Sequence, residues 1–168
     1  MPVDRGERGR HTSNEEIIGM LVGTRTVAVV GASEDESKAA NAIPRYLQEQ
    51  GYRVLPVNPR GGQILGEHVY RSLSEIELPI DVVDVFRPPA EAKAVAQAAI
   101  DAGARALWFQ PGTSTEEAAQ LAVEAGLDVV TGLCMAATHA SAGLSSPVAA
   151  RHSDRAEQRG HRIREQLN

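Results

Sequence analysis

The residues best suited to hold a ligand follow a short apolar run near the N-terminus. Residues 27–30, V-A-V-V, lead into Gly31, Ala32 and Ser33, and Lys38 follows a few residues later. An unbroken Val/Ala run is typical of a parallel strand buried on both faces, and the loop after the first strand of an α/β sheet commonly holds phosphate. A glycine without a Cβ lets phosphate approach the N–H groups of the next helix, while the serine hydroxyl and the lysine charge add donors. The loop therefore predicts a phosphate site.

The same loop is also compatible with an ordinary strand-to-helix turn. The dinucleotide pattern G-x-G-x-x-G is absent, because Ser33 and Glu36 stand where its later glycines would be. Glu34, Asp35 and Glu36 form an acidic cluster, which would repel phosphate unless it points to solvent. The loop alone is therefore a weak indication of a phosphate site, and other positions must support it.

Polar residues also follow the second and third apolar runs. Asn58, Pro59 and Arg60 end the second run, where an NAD-binding protein would carry a carboxylate for the ribose hydroxyls. An amide, a rigid proline and a cation instead suit a nucleotide with an extra phosphate. Phe86 and Arg87 end the third run and provide an aromatic face and a guanidinium for an adenine or a flexible apolar arm. The alternatives are a core aromatic and a solvated charge.

Gln110 and Gly112 follow the fourth apolar run, just before a predicted helix start. They provide a side-chain amide and free backbone N–H groups for a ligand; the alternative is a turn without a binding role. Because ligands of open α/β sheets bind at the carboxyl ends of the strands, we expect all four loops to converge on one crevice.

Cys134 and His139 are the nearest the sequence comes to a catalytic pair. A thiolate beside an imidazole is a nucleophile, but a lone cysteine near a strand end more often packs as a small buried hydrophobe. Leu133 and Met135 make its surroundings apolar. No H-x-x-H, C-x-x-C or carboxylate cluster suggests a metal site. We therefore predict no catalytic residue, no metal and an inert thiol.

Alternating strands and helices position these residues. Ser13 and Glu16 form an S-x-x-E capping box for a first helix over 14–22, and Asn41 is predicted to cap a second helix whose first turn tolerates Pro44. Strands are predicted over 27–30, 52–60, 81–86, 105–109 and 127–130. Further helices are predicted over 91–102 and 115–125, with a short helical segment over 74–77. Three helices are expected to end at glycines, which are Gly51, Gly103 and Gly126. The pattern predicts an α/β fold with a doubly wound, five-stranded parallel sheet in three layers.

Right-handed crossovers limit how such a sheet can be wound. We expect the first half of the chain to lay down strands three, two and one side by side, and the second half to add strands four and five on the other side. Strands one and four would then be neighbours. The loop at 31–33 would lie opposite the loop at 110–112.

Composition limits the class of protein. The 168 residues suffice for one well-buried α/β domain, and the net charge of -5 argues against a general nucleic-acid binder. One cysteine excludes an internal disulfide and suits a reducing compartment. No apolar run approaches the roughly 18 residues of a membrane span, and the first residues are not of signal-peptide type. We expect a cytoplasmic protein with neither nucleic acid nor membrane as partner.

Three regions are expected along the chain: a flexible lead-in over 1–12, a binding domain over 13–139 and an arginine-rich tail over 140–168. Residues 141–168 hold five Arg against three acidic residues, whereas the rest of the chain holds twelve bases against nineteen acids. The tail is predicted to be a floppy segment or a loosely attached helix. The alternative is a contact with a protein partner or a second copy of the chain.

Several segments, taken in order, resemble a known family. They are V-A-V-V-G-A-S at 27–33 with Lys38, Y-L-Q-E-Q-G-Y-R-V-L-P-V-N-P at 46–59, L-G-E-H-V-Y-R-S-L-S-E-I at 65–76, D-V-V-D-V-F-R-P-P at 81–89, W-F-Q-P-G at 108–112, and Cys134 with His139. Together they resemble the small stand-alone CoA-binding proteins, which are similar to the CoA-binding domain of the succinyl-CoA synthetase α subunit.

The resemblance implies a Rossmann-like domain whose small-molecule ligand is coenzyme A or an acyl-CoA. It places Gly31, Ala32, Ser33 and Lys38 at the phosphates, Val57, Asn58, Pro59 and Arg60 beside the nucleotide, Phe86 and Arg87 along the crevice, and Gln110 and Gly112 near the pantetheine. The synthetase's phosphorylated histidine lies in a separate domain with no counterpart in these segments, so ligase activity is not implied. The acidic loop at 34–36 and Gly132-Leu133 before Cys134 depart from the family pattern.

Two functions follow from these residues. The favoured one is a protein that binds CoA or an acyl-CoA without catalysis, as a carrier, sensor or regulatory module. The alternative is an NAD(P)-binding redox sensor or oxidoreductase on a similar sheet. The end of strand two separates them, because Asn58, Pro59 and Arg60 favour CoA and a carboxylate there would favour NAD.

Overall fold

The computed structural model describes residues 12–144, and the predictions for 1–11 and 145–168 lie outside this part of the chain. Its helices are α1 (Asn14–Gly23), α2 (Ala39–Glu49), α3 (Ala92–Asp101), α4 (Glu116–Glu124) and α5 (Met135–Ser141). Its strands are β1 (Thr26–Val30), β2 (Arg53–Val57), β3 (Gln63–Ile64), β4 (Glu67–His68), β5 (Val82–Val85), β6 (Ala106–Phe109) and β7 (Asp128–Thr131). Short 3-10 turns at Leu73–Glu75 and Pro89–Glu91 precede β5 and α3. No helix within 12–144 is long and apolar enough to cross a membrane.

Five strands form one parallel sheet, which confirms the predicted Rossmann-like α/β class. β1 pairs with β2 on one side and with β5 on the other, and β6 and β7 extend the sheet beyond β5. The order is β2-β1-β5-β6-β7, so the expected order, with the first and fourth parallel strands as neighbours, is wrong. The winding reverses between β1 and β5. The loop after β1 therefore lies beside the loop after β5, not beside residues 110–112.

Pro56 gives a physical reason why β2 lies at an edge of the sheet. The Pro56 carbonyl accepts from the N–H of Tyr70 at 2.9 Å, and the N–H of Asn58 donates to the Tyr70 carbonyl at 2.9 Å, both away from β1. Proline has no N–H to donate on that side, so a further full strand there would lack a ladder hydrogen bond. The predicted order would have put the third strand at this position. The segment around Tyr70 covers the edge instead.

Helices cover both faces of the sheet, in the three layers that were predicted. α3 and α4 pack on one face, and α1, α2 and α5 pack on the other through Leu21, Leu47 and Met135. Every residue of β5 and β6 is buried, which explains why neither strand alternates apolar and polar residues. Trp108 of β6 is fully buried, and its indole N–H donates to the carbonyl of Leu133 at 2.8 Å.

Capping predictions at four helix ends are confirmed. Ser13 and Glu16 form the capping box of α1, each side chain accepting from the other residue's N–H. α2, α3 and α4 end just before three glycines of positive φ, which are Gly51, Gly103 and Gly126. In each case the N–H after the glycine donates to a carbonyl of the last helical turn at 3.1 Å, from Tyr52 to Leu47, from Ala104 to Ala99 and from Leu127 to Ala122.

The start of α2 differs from the prediction. The helix begins at Ala39, with Lys38 at the N-cap position, so Asn41 does not cap it and Pro44 lies beyond its first turn. Because Pro44 has no N–H, the carbonyl of Ala40 lacks its usual helical donor. That carbonyl accepts instead from the N–H of Ser33 at 3.2 Å. The proline thus frees an acceptor that holds the loop after β1 against the helix.

The hairpin of β3 and β4 and the helix α5 were not predicted. The hairpin pairs Gln63 with His68 and Ile64 with Glu67, within a region predicted as a glycine-rich turn. Strands of two residues and a helix of seven carry almost no periodic signal in the sequence. They are held by tertiary packing, since Ile64 and Met135 are buried in the core under α2.

Candidate functional site

Gly31 forms the sharp turn at the end of β1. Its φ of +86° lies in the left-handed region, and its N–H donates to the carbonyl of Val57 at 3.0 Å. A Cβ at this position would lie 2.8 Å from Cδ of Arg87 and 2.9 Å from the carbonyl oxygen of Phe86. Glycine is therefore required both by the backbone conformation and by the contact between the loops after β1 and β5.

Two asparagine side chains hold the loop after β1 in place. Asn58, just after β2, donates from Nδ2 to the carbonyl of Ala32 at 2.9 Å. Asn41, on α2, donates from Nδ2 to the carbonyl of Ser33 at 2.8 Å. These hydrogen bonds engage two carbonyl oxygens that would otherwise repel an anion. The loop is therefore preorganised by residues from β2 and α2, and the part played by Asn41 was not predicted.

The first turn of α2 supplies N–H groups that an anion could bind. The N–H groups of Ala39 and Ala40 have no acceptor within residues 12–144, as is usual for the first residues of a helix. Lys38 is exposed at the N-cap position. The helix N-terminus and the lysine both carry positive charge, so this end of α2 favours an anionic group such as phosphate.

The acidic residues of the loop are exposed, and one of them closes a turn. Asp35 accepts from the hydroxyl of Ser37 at 2.6 Å and from its N–H at 3.0 Å. These two hydrogen bonds, the one from the hydroxyl first, lower the pKa of the Asp35 carboxyl. The carbonyl of Asp35 accepts from the N–H of Lys38 at 3.1 Å. This carboxylate therefore shapes the turn that places Lys38 at the start of α2.

A cleft of about 230 Å³ opens at the carboxyl ends of β1 and β2, on the face of the sheet that α3 covers. Gly31, Val57, Pro59 and Arg87 line it, so the structure brings together predicted site residues from three different loops. Arg71, which was not predicted, adds a second guanidinium to the lining. The cleft therefore combines an apolar wall with two cationic side chains.

Arg87 is paired with a carboxylate one helical turn later. Its Nη2 and Nε donate to Oε2 of Glu91 at 2.7 and 3.0 Å. The two side chains are 42% and 46% exposed, so the pair contributes little to stability. Glu91 also lines the cleft. A phosphate bound there would compete with Glu91 for the guanidinium.

Gln110 is buried at the end of β6 and lies beside an unpredicted carboxyl group. Its Nε2 donates to Oδ1 of Asp84, on β5, at 2.7 Å. Burial raises the pKa of Asp84 to about 7, although the hydrogen bond from Gln110 acts in the opposite direction. Asp84 Oδ2 and Gln110 Oε1 are buried without a partner in the described chain. An acid inside the apolar run V-V-D-V-F was the available sequence signal.

No hydrogen bond joins Cys134 to His139. Cys134 is partly exposed at the N-cap position of α5, whereas His139 is fully buried and its Nδ1 lies 2.9 Å from the hydroxyl of Tyr46. The imidazole also packs edge-on against Tyr46 and Tyr52, with ring centroids 5.6 Å apart. Burial lowers the pKa of His139, which favours the neutral ring. Among the described residues, no three His, Cys, Asp or Glu side chains are grouped to hold a metal.

The sequence that builds this site matches a known family. The family described as a CoA binding domain matches residues 25–140, which include the loop after β1, the whole lining of the cleft and Gln110. The chain belongs to the CoA-binding domain family.

Relatives of this CoA-binding domain occur both as small proteins and within larger enzymes. The uncharacterized protein YneT of Bacillus subtilis is 35% identical over 131 residues, covering 78% of this chain and 97% of YneT. The structure of a hypothetical protein from Pyrococcus horikoshii OT3 has a TM-score of 0.75 at 39% identity and covers 77% of this chain and 91% of its own. The ADP-forming acetate–CoA ligase II subunit alpha of Pyrococcus furiosus is 36% identical over 80 residues, which cover 47% of this chain but 17% of that subunit.

The CoA-binding domain distributes the predicted site residues over three places. The cleft holds Gly31, Val57, Pro59 and Arg87. The loop between β1 and α2 contains Ala32, Ser33 and Lys38, and the side chain of Asn58 is hydrogen-bonded to this loop. Phe86 packs with the core under α2 and α5, Gln110 is buried, and Arg60 and Gly112 are exposed outside the cleft lining.

Several lining residues were missed by the sequence reasoning. Arg71 and its neighbours belong to the segment L-G-E-H-V-Y-R-S-L, which supported the resemblance but was not assigned to the site. Ala94 and Ala98 of α3 also line the cleft. They are spaced i and i+4 and therefore share one face of the helix.

Proposed function

We propose that the protein binds coenzyme A or an acyl-CoA without changing it covalently, as a carrier, sensor or regulatory module. The observation that carries the proposal is the turn at Gly31, which touches the loop of Phe86 and Arg87 where the strand order reverses. In doubly wound sheets a nucleotide binds at this reversal, with phosphate at the turn after the first strand and at the following helix N-terminus. Membership of the CoA-binding domain family supports CoA as that nucleotide.

The proposed contacts follow the ligand from its phosphates to its thiol, within a binding unit of residues 13–139. The pyrophosphate lies at Gly31, Ala32 and Ser33, with Lys38 as the nearby cation. Val57, Asn58, Pro59 and Arg60 lie beside the nucleotide, Phe86 and Arg87 along the crevice, and Gln110 and Gly112 near the pantetheine. Glu91 is the one carboxylate in the cleft lining, so release of Arg87 from it accompanies binding in this proposal.

The non-catalytic role is supported by the positions of the two candidate reactive side chains. His139 is held by Tyr46 inside the core, while Cys134 lies at the start of α5, and within residues 12–144 no hydrogen bond joins the two side chains. An imidazole in that position cannot withdraw the thiol proton, so the thiol lacks the general base that covalent catalysis by cysteine uses. We also place the protein in the cytoplasm, on the ground that its single cysteine suits a reducing compartment.

A ligand panel on the unaltered chain tests the proposal. A ligand at 100 times its dissociation constant stabilises a protein by about 2.7 kcal/mol. We expect CoA and acetyl-CoA to raise the melting temperature, and NAD and NADP to leave it unchanged. A shift with NAD or NADP alone would contradict the proposal and support a redox sensor or oxidoreductase. Gly31→Val is a poorer test, because its side chain would strike Arg87 and disturb folding as well as binding.

Mass spectrometry tests the absence of covalent chemistry. After incubation with acetyl-CoA at neutral pH, the protein should carry no acetyl group on Cys134, and CoA should be released no faster than in buffer. An adduct on Cys134, or a faster release that Cys134→Ser abolishes, would show that the protein is more than a binding module.

A further inference from the structure

Arg71 lines the same cleft as Gly31 and Arg87 but comes from a different part of the chain. It follows Tyr70, whose N–H and carbonyl are hydrogen-bonded to the outer edge of β2. The backbone beside Arg71 is therefore fixed against the strand end that, in this class of sheet, faces the ribose of a bound nucleotide. Such a position suits a side chain that recognises a substituent on the ribose.

The Arg71 side chain occupies space that a glycine leaves open. A Cβ on Gly61 would lie 3.2 Å from Nε of Arg71, and Gly61 has a φ of +67°. The turn that contains Gly61 is closed by two hydrogen bonds to Asn58, from the N–H of Gly61 to its carbonyl at 3.1 Å and from the N–H of Arg60 to its Oδ1 at 2.9 Å. The same Asn58 side chain donates to Ala32. Asn58 thus connects the turn beside Arg71 to the loop after β1.

In the part of the chain that the structure describes, the Arg71 guanidinium has no carboxylate partner. Within residues 12–144 no ion pair involves it, and Glu75 accepts instead from the backbone N–H of Arg71 at 2.9 Å. Arg87, across the cleft, is paired with Glu91. Arg71 is therefore the unpaired cation of this cleft, and a guanidinium presents a planar fork that fits two phosphate oxygens.

We propose that Arg71 determines ligand specificity by binding a phosphate group on the ribose, so that the cleft selects a ribose-phosphorylated nucleotide over the same nucleotide with free ribose hydroxyls. The inference rests on the proposed function, since CoA carries such a phosphate and dephospho-CoA does not. Arg60, the other cation beside the end of β2, is exposed and does not line the cleft. It is the alternative cation for the same phosphate, whereas Arg53, exposed at the opposite end of β2 and outside the cleft lining, provides the matched control.

Titration calorimetry of the full chain with CoA and with dephospho-CoA tests the inference. The unaltered chain should bind CoA at least about tenfold more tightly than dephospho-CoA, as expected for a charge-assisted phosphate contact. In Arg71→Gln this preference should disappear, with CoA weakened to the affinity of dephospho-CoA and dephospho-CoA unaffected. Arg53→Gln should keep both the affinity and the preference, and Arg60→Gln tests the alternative cation. Arg71→Lys should keep part of it, because the charge remains and the fork is lost.

The outcomes separate this inference from the proposed function. If the unaltered chain binds both ligands equally, or if Arg71→Gln weakens both by the same factor, Arg71 does not recognise the ribose phosphate, although the protein still binds CoA. If Arg60→Gln abolishes the preference and Arg71→Gln does not, the phosphate is bound by the other cation and the inference is wrong. If neither ligand binds the unaltered chain, the proposed function itself fails. Thermal melting of each variant shows whether it is folded.

Discussion

The two faces of the sheet differ in the exposure of their polar side chains. On the α3 face, the charged residues that line the cleft are partly or fully exposed to water; these are Arg71, Arg87 and Glu91. On the α2 and α5 face, four polar side chains are buried, each with one atom that lacks a partner in the described chain; these are Asn41, Asp84, Gln110 and His139. Water stabilises an exposed charge, whereas a buried polar group loses that stabilisation. Substitutions of exposed charged residues at the ligand site should therefore act mainly on ligand binding, and substitutions of the four buried polar side chains should act mainly on stability.

Asp84→Asn should give the largest effect, on the pH dependence of stability. Burial raises the pKa of Asp84 from 3.8 to about 7, so the folded chain holds this proton more tightly than the unfolded chain. The stability contributed by the protonated carboxyl is fully present below the unfolded pKa and is lost as the pH rises through the folded pKa. The loss between about pH 4 and about pH 7 is of the order of 4 kcal/mol for a fully buried group.

Denaturant unfolding of the variant and the unaltered chain across this pH range measures the effect. As the pH rises, the free energy of unfolding of the unaltered chain should fall relative to that of Asp84→Asn. Asp128→Asn, on an exposed residue of β7, is the matched control and should follow the unaltered chain. If Asp84→Asn and Asp128→Asn show the same pH dependence, the contrast between the two faces does not hold.

Lys38→Ala should act on binding and leave stability almost unchanged. Lys38 is exposed at the N-cap position of α2, where it would meet the pyrophosphate. A charge-assisted contact contributes roughly 1.5 to 3 kcal/mol, so CoA should bind about tenfold more weakly or worse, and its affinity should depend less on salt. Calorimetry at several salt concentrations measures both changes. Lys93→Ala, whose Nζ lies 2.8 Å from Glu117 and outside the cleft lining, should behave like the unaltered chain.

Glu91→Gln should give the smallest effect, and in the opposite direction. It removes the one carboxylate in the cleft lining and releases Arg87 from its ion pair. Because exposed ion pairs are worth about 0.2 to 1 kcal/mol, CoA should bind more tightly by up to about fivefold. Competition binding against the unaltered chain resolves a change of this size. Weaker binding would mean that Glu91 holds Arg87 in its binding position and does not compete with the ligand.

Most of the strands and helices could be predicted because their signals are local. The apolar runs of β1, β5 and β6 are continuous over four or five residues, and three helices end at a glycine that supports the same hydrogen bond. The order of the strands could not be predicted from crossover handedness, because a right-handed crossover is compatible with either order. Pro56 was the sequence signal for the strand order, because a proline within a strand favours an edge position.

Sequence reasoning anticipated some residues of the cleft lining and missed others. Gly31, Val57, Pro59 and Arg87 line one cleft, because each follows or ends a parallel strand and the carboxyl ends of these strands meet. Arg71 could not be placed there by that rule. It follows no strand of the main sheet, and only the bridge from Tyr70 to Val57 brings it to the cleft.

Local sequence was enough to predict the five strands of the main sheet, four of the five helices, the ends of three of those helices and the glycine turn after the first strand. These features depend on backbone conformation and on side chains within a few residues of one another. Three contacts could be seen only in the folded chain: Gly31 lies against Arg87, Glu91 holds Arg87 beside the cleft, and Asp84 shares a buried hydrogen bond with Gln110. Such contacts depend on which strands are neighbours and on which side chains lose water, and both follow from packing over the whole chain.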